Sequence, residues 1–209
     1  MKKYTYTGIS FIILLMGIWV VPKIADQFRS ADLAVIGKVP EFNFTNQFGE
    51  SISNTDYLNK VYVVEFFFTT CPTICPIMNR NMGTLQKEFY GNPDFGIASF
   101  TINPENDTPE VLKAYAQDYN VTHKHWHMLT GAKEKIYELA NKGFNLYAGE
   151  NSNAEGGFEH SGMFALIDKD GNIRSRNDKN GNPMVYYDGI AQEGIQMLKE
   201  DIAILLNEK

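Results

Sequence analysis

Cysteine is scarce in this 209-residue sequence: Cys71 and Cys75 are the only two. Three residues separate them and a proline follows each, in the stretch FFFTTCPTICP. With no further cysteine, a four-cysteine structural zinc site is excluded. The pair on its own leaves three interpretations open, namely a structural disulfide, a redox pair or part of a metal site.

The sequence also lacks any run of lysine or arginine. Its formal net charge is −6, so composition gives no reason to expect nucleic-acid binding. We find no internal repeat and no low-complexity tract. The 44% of hydrophobic residues and 21% of charged residues exclude a disordered chain. The length fits one domain with additions, or two small domains.

The N-terminal region lacks a good small-x-small cleavage site after its apolar run. An uncharged stretch extends from Tyr4 to Val21, behind Lys2 and Lys3. At ~1.5 Å per residue it is just long enough to cross the apolar core of a bilayer. We therefore expect residues 1–23 to be an uncleaved membrane anchor, with a cleaved signal peptide as the competing interpretation. Under both interpretations we expect the rest of the chain on the periplasmic, or other extracytoplasmic, side of the cytoplasmic membrane, where disulfides are allowed to form.

Beyond a predicted linker at residues 24–39, strand and helix patterns alternate through a domain at 40–209. The predicted strands are 61–68, 95–102 and 126–129, followed by a hairpin turning at 169–171, and the predicted helices are 77–90, 108–119, 132–142 and 189–207. This order predicts an α/β fold with a central, partly parallel sheet and helices on both faces. Functional groups in such sheets gather at the carboxyl ends of the strands, which is where both cysteines fall.

Two thiols at the start of a helix can serve redox chemistry or metal binding. A helix N-terminus stabilises thiolates, so we expect both thiols to be acidic. A disulfide closing five residues gains little loop entropy, which argues against a purely structural role. Disulfide oxidoreductases usually have two residues between their cysteines, and the wider spacing here also suits chelation.

Histidines are the remaining candidates for a soft metal site. His123, His125 and His127 alternate in HKHWH, a pattern more typical of a solvated strand edge than of a site. His160 follows a glycine-rich loop, and spacing alone does not separate a ligand from a surface residue there. Two thiolates and one imidazole suit Cu(I), and also Cu(II) with a further donor.

Four segments of the chain resemble the Sco/SenC family of copper-binding, thioredoxin-fold proteins. They are FFFTTCPTICP, TINPENDTPEVLKAYAQDY, HWHMLTG and EHSGMFALIDKDG, and the resemblance covers roughly residues 40–207. It implies a thioredoxin-like fold and a copper site formed by Cys71, Cys75 and His160. It also implies a role in assembling the dinuclear copper centre of cytochrome c oxidase subunit II, with a copper donor or a thiol reductant as further partner.

Two departures from the family pattern stand near the predicted site. Asn103 and Glu159 occupy positions where the family often has aspartate, and neither change removes a ligand. The main hypothesis is therefore a membrane-anchored copper metallochaperone. The alternative is a thiol–disulfide oxidoreductase in which Cys71 and Cys75 are the catalytic redox pair and keep the target's cysteines reduced.

Overall fold

The computed structural model describes residues 33–208. The predicted anchor at 1–23 and the first part of the predicted linker lie outside these residues. Within 33–208, no helix is both long and apolar enough to cross a membrane.

Eleven strands and four α-helices lie in the described part of the chain. The strands are β1 (Ala34–Lys38), β2 (Asn43–Asn46), β3 (Ser51–Ser53), β4 (Val61–Phe67), β5 (Phe95–Thr101), β6 (Trp126–Thr130), β7 (Ala148–Glu150), β8 (Phe158–His160), β9 (Met163–Ile167), β10 (Asn172–Ser175) and β11 (Tyr187–Asp188). The helices are α1 (Cys75–Glu88), α2 (Pro109–Asp118), α3 (Lys133–Glu138) and α4 (Gln192–Asn207).

The main sheet is mixed and is built around β4. Its order is β1-β10-β9-β4-β5-β6-β2-β3, and β11 pairs with β9 outside this path. Strands β4, β5 and β6 are parallel neighbours, whereas β4 and β9 pair antiparallel. All seven residues of β4 and of β5 are buried, as expected for apolar strands covered on both sides. The prediction of a central, partly parallel sheet is confirmed.

Helices α1 and α2 lie on the same face of the sheet. The units β4–α1–β5 and β5–α2–β6 move in the same direction along the sheet. Because crossovers of this kind are right-handed, both helices must lie on the same face. Helix α2 begins as predicted, with the Thr108 hydroxyl accepting a hydrogen bond from Val111 N and with Pro109 in the first turn. Helix α4 packs against α1 and buries its apolar stripe, including Leu198 and Ile202.

Two sequence predictions need correction in this part of the fold. The predicted linker at 24–39 is wrong for its last residues, because Ala34–Lys38 forms β1 and pairs antiparallel with β10. That pairing joins segments more than 130 residues apart, so the local sequence does not reveal the strand. The helix predicted at 132–142 is also wrong in part: α3 ends at Glu138 and the chain continues as one π-helical turn, Leu139–Gly143.

A second, two-stranded sheet stands apart from the main one. It is the antiparallel hairpin of β7 and β8, joined by the loop at 151–157. From its sequence, this stretch is predicted only as a glycine-rich loop. Its strands are three residues each, too short to show an alternating pattern.

Candidate metal centre

The two cysteines lie in a tight loop between β4 and α1. The backbone N–H of Cys71 donates to the carbonyl of Phe68 at 3.3 Å, which turns the chain directly after the strand. Helix α1 begins at Cys75, two residues earlier than the predicted 77–90, with Pro76 in its first turn. Cys75 is fully buried and Cys71 is 7% exposed, so Cys71 is the thiol on the solvent side.

A buried carboxylate fixes the base of this loop. Asp107 accepts hydrogen bonds from the backbone N–H of Thr69 at 3.1 Å and from its hydroxyl at 2.5 Å. It also accepts from the Thr101 hydroxyl and from the Asn106 side-chain amide. Asp107 therefore ties the loop after β4 to the loop after β5. Nothing in the local sequence around Asp107 indicates this role, because Thr69 lies 38 residues away.

The β7–β8 hairpin brings His160 to the cysteines. Phe68, next to the cysteine loop, packs against Phe158 at 5.2 Å and edge-on against the His160 ring at 5.8 Å between ring centroids. Gly156, in the hairpin loop, has φ +82° and allows a close approach, because a Cβ there would lie 2.9 Å from the Phe68 ring. His160 is thus positioned by a packed hairpin rather than by a free loop.

Cys71, Cys75 and His160 converge at one place. Their sulfur and nitrogen atoms all lie within 4.8 Å of one another, and Cys75 Sγ is 3.1 Å from His160 Nε2. The other ring nitrogen, Nδ1, lies 3.0 Å from the backbone carbonyl of Ser161. Because a carbonyl only accepts, Nδ1 carries the proton in the neutral ring and Nε2 presents its lone pair to the site.

The pKa values of the two thiols are shifted in opposite directions. The hydrogen bond from the Cys75 thiol is the main cause that lowers the pKa of Cys71, to about 3, and the backbone N–H of Cys75 also donates to this sulfur at 3.5 Å. The same interaction, together with burial, raises the pKa of Cys75. At neutral pH the pair therefore holds one thiolate, at Cys71, and one thiol, at Cys75.

This donor set fits a soft ion with few ligands. Two sulfurs and one imidazole nitrogen suit Cu(I), whereas a structural zinc site would need a fourth protein ligand. Beside the site is an open cleft of about 400 Å³, lined in part by Phe68, Cys71, Glu155 and His160. An ion bound by these three donors would lie beside this cleft.

The other histidines lie elsewhere. They belong to the start of β6, whereas the cysteines follow the carboxyl end of the parallel strand β4. The predicted solvated edge is wrong, because His123 is buried and His125 and His127 are half-buried. His127 Nδ1 lies 3.2 Å from the side-chain amide of Asn46, and His123 Nδ1 accepts from His125 N at 3.2 Å. Within residues 33–208 these histidines belong to no group of three candidate metal ligands.

Comparisons with known proteins agree with this architecture. The fold and site define a class: a mixed α/β, thioredoxin-like domain with two thiols and an imidazole at the end of its central strand. The family model described as SCO1/SenC matches residues 34–193. The chain belongs to the SCO1/SenC family.

Three known proteins illustrate the similarity. The SCO1 protein homolog of Bacillus subtilis is 35% identical over 158 residues, which cover 75% of this chain and 80% of the relative. A solved structure of BsSco, described as having a disulfide switch and as a member of the Sco family of cytochrome c oxidase assembly proteins, is 30% identical. It has a TM-score of 0.69 and covers 83% of this chain and 95% of its own.

Yeast Sco1 with copper bound has a TM-score of 0.60 at 24% identity, with 80% of this chain and 89% of that chain covered. At this identity the similarity concerns the fold.

Proposed function

We propose that this chain is a membrane-anchored copper chaperone that helps to assemble the dinuclear copper centre of cytochrome c oxidase subunit II. Its globular domain would stand on the periplasmic side of the inner membrane, on an anchor at residues 1–23. Its partners would be subunit II or a similar copper protein, together with an upstream copper donor. Membership of a family that includes a cytochrome c oxidase assembly protein supports this assignment.

The observation that carries the proposal is the convergence of three soft donors from two separate sheets. Cys71 and Cys75 come from the loop after β4, and His160 comes from the β7–β8 hairpin. A hydrogen-bonded thiol pair would need no imidazole within 3.1 Å of a sulfur. The separate element that delivers His160 is therefore best explained by a three-donor metal site.

The geometry suggests an order of binding. Cys71, the more exposed thiol, is already a thiolate and makes the first bond to incoming copper. Cys75 then loses its proton as its sulfur binds, and the Nε2 lone pair of His160 completes the set. Because the cleft leaves one side open, a partner's thiolate or imidazole is able to join the copper before these residues release it.

Anaerobic copper titration of the reduced chain tests this function. We expect one Cu(I) per chain, bound tightly, and a more than hundredfold weaker affinity in Cys71→Ser and Cys75→Ser. In His160→Ala we expect weaker binding and changed charge-transfer absorption on loading with Cu(II). If His160→Ala keeps the wild-type affinity and spectrum, the three-donor site is wrong.

A second function is supported by the thiols themselves. One stabilised thiolate beside one protonated thiol is the arrangement of an exchange-active pair, and BsSco is described as having a disulfide switch. As a thiol–disulfide oxidoreductase, the chain would reduce the target's copper-ligand cysteines through Cys71. Rapid exchange with a dithiol substrate, undiminished in His160→Ala, would favour this function, and slow exchange would count against it.

A further inference from the structure

Glu65 is an acidic residue in the middle of the fully buried strand β4. It is 0% exposed. Because side chains alternate along a strand, it shares a face with Phe67, whose ring stacks on Tyr115 of α2 at 5.6 Å. Glu65 therefore points into the layer between the sheet and helices α1 and α2, behind the cysteine loop. The three-donor site does not use it.

The carboxyl group of Glu65 is incompletely satisfied. Its Oε1 accepts from the Ser99 hydroxyl at 2.6 Å, and the Ser99 oxygen accepts from Trp126 Nε1 at 3.0 Å. Its Oε2 has no hydrogen-bond partner in the part of the chain that the structure describes. None of the ion pairs within residues 33–208 includes Glu65. A buried carboxyl in these surroundings favours its neutral, protonated form.

The environment of Glu65 couples it electrically to the site. Burial raises its pKa to about 7, while the Ser99 hydrogen bond and the nearby His160 imidazole act in the opposite direction. The charge of Glu65 in turn raises the pKa of Cys75 on α1 and of Tyr115 on α2.

Helix α4 also packs on β4, and it carries one buried acid, whose charge is balanced by an arginine. Asp201 is paired there with Arg176 at 2.8 Å. The groups on neighbouring elements that interact electrostatically with Glu65 are thus Cys75, Tyr115 and His160. Such linkage is reciprocal, so a change of charge at the site must change the proton occupancy of Glu65.

We infer that Glu65 is a proton-binding group coupled to the oxidation state of bound copper, protonated beside Cu(I) and ionised beside Cu(II). This rests on the proposed copper function. Two thiolates with Cu(I) carry one net negative charge, which opposes a third anion nearby. The same ligands with Cu(II) carry no net charge, so the carboxylate is tolerated.

The coupled step balances as one electron and one proton. An external thiol reductant supplies the electron that converts Cu(II) to Cu(I). A proton from solvent then binds the Glu65 carboxylate at Oε2, and the net charge of the site and Glu65 together does not change. Oxidation reverses both movements, so the fold would keep a constant charge in a low-dielectric region.

The test is the pH dependence of the Cu(II)/Cu(I) couple in the wild-type chain and in Glu65→Gln. As pH rises, ionised Glu65 favours Cu(II), so the ratio of Cu(I) to Cu(II) affinity falls. From about pH 6 to about pH 8, we expect it to fall about tenfold more in the wild-type chain than in Glu65→Gln, which cannot ionise. Glu134→Gln removes an exposed carboxylate on α3, outside the cleft, and is the matched control, expected to keep the wild-type profile.

Two further measurements keep the test decisive. Ser99→Ala removes the hydrogen bond that lowers the pKa of Glu65, so the pH transition should move upward. In the reduced, metal-free chain, infrared spectra should show a protonated-carboxyl band that is absent in Glu65→Gln. Parallel pH profiles in the wild-type chain and Glu65→Gln, with copper still bound by the three donors, would overturn the inference alone. Failure of the wild-type chain to bind copper would instead overturn the proposed function.

Discussion

The cysteine loop and the histidine hairpin supply one site but are built differently. The loop follows β4, a fully buried strand of the main sheet, and is held by Asp107, whose carboxylate accepts several hydrogen bonds. The hairpin lies outside the main sheet, and aromatic packing on Phe68 brings it to the cysteines. The difference suggests a fixed thiol pair and a third donor that is easier to displace. Such a division would suit the proposed copper delivery.

The largest effect is expected when the hydrogen bonds that hold the cysteine loop are removed. Asp107→Ala leaves the N–H and hydroxyl of half-buried Thr69 and the buried hydroxyl of Thr101 without their acceptor, so we expect a loss of about 3 kcal/mol in the free energy of unfolding, measured with denaturant. Glu105→Ala, an exposed carboxylate in the same segment, is the control and should cost less than about 1 kcal/mol. A small effect of Asp107→Ala would mean that the loop is not held by this network.

Displacing the hairpin should weaken copper binding without altering the thiols. In Gly156→Ala the new Cβ meets the Phe68 ring at 2.9 Å, so the hairpin must move and carry His160 away. We expect about tenfold weaker copper affinity. We also expect the charge-transfer spectrum to change in the same direction as in His160→Ala, but less.

Gly157→Ala provides a matched control for that variant. Gly157 has the same φ of +82°, but nothing lies within 4 Å of its added Cβ. It should therefore destabilise the hairpin by about 1 kcal/mol from backbone strain alone and leave the affinity near wild type. Equal losses of affinity in both variants would show that contact with Phe68 does not position His160.

The thiol pair should show its asymmetry in reactivity. Because the pKa of Cys71 is lowered, its alkylation rate in the reduced, metal-free chain should stay nearly constant from about pH 5 to about pH 7. In Cys75→Ala the hydrogen bond from the second thiol is lost, so the pKa of Cys71 rises and the rate should increase with pH over this range. A wild-type rate that climbs like that of an ordinary thiol would contradict the assignment of the thiolate.

The smallest effect is expected at the outer edge of the hairpin. Lys133 of α3 forms an ion pair with Glu150 of β7 near the surface. Such pairs contribute less than about 1 kcal/mol, so Lys133→Ala should barely change stability or copper affinity. A large loss of affinity would mean that α3, rather than Phe68, positions the hairpin.

The two regions also differ in how well the sequence predicts them. The run VYVVEFFF, the capped start at Thr108 and the Asp-Gly hairpin turn are local signals, and the structure confirms each element. Strands β1, β7 and β8 are short and depend on partners that no local pattern reveals. His160 could be singled out as a ligand by family resemblance, since spacing alone left it undecided.

The two buried acids show a further limit of sequence reading. Asp107 lies directly before the capped start of α2, and nothing in the local sequence indicates its hydrogen bonds to Thr69. Glu65 stands inside an apolar run, where a single acid does not disturb the strand prediction. In both cases the decisive information is the burial and the partners of the carboxyl group, which only the assembled fold supplies.

X-ray absorption spectroscopy of the Cu(I)-loaded chain tests the central claim most directly. The account predicts a copper shell of two sulfurs and one imidazole nitrogen, with the nitrogen lost in His160→Ala and one sulfur lost in each cysteine variant. A wild-type shell without the imidazole, or one that His160→Ala leaves unchanged, would contradict it.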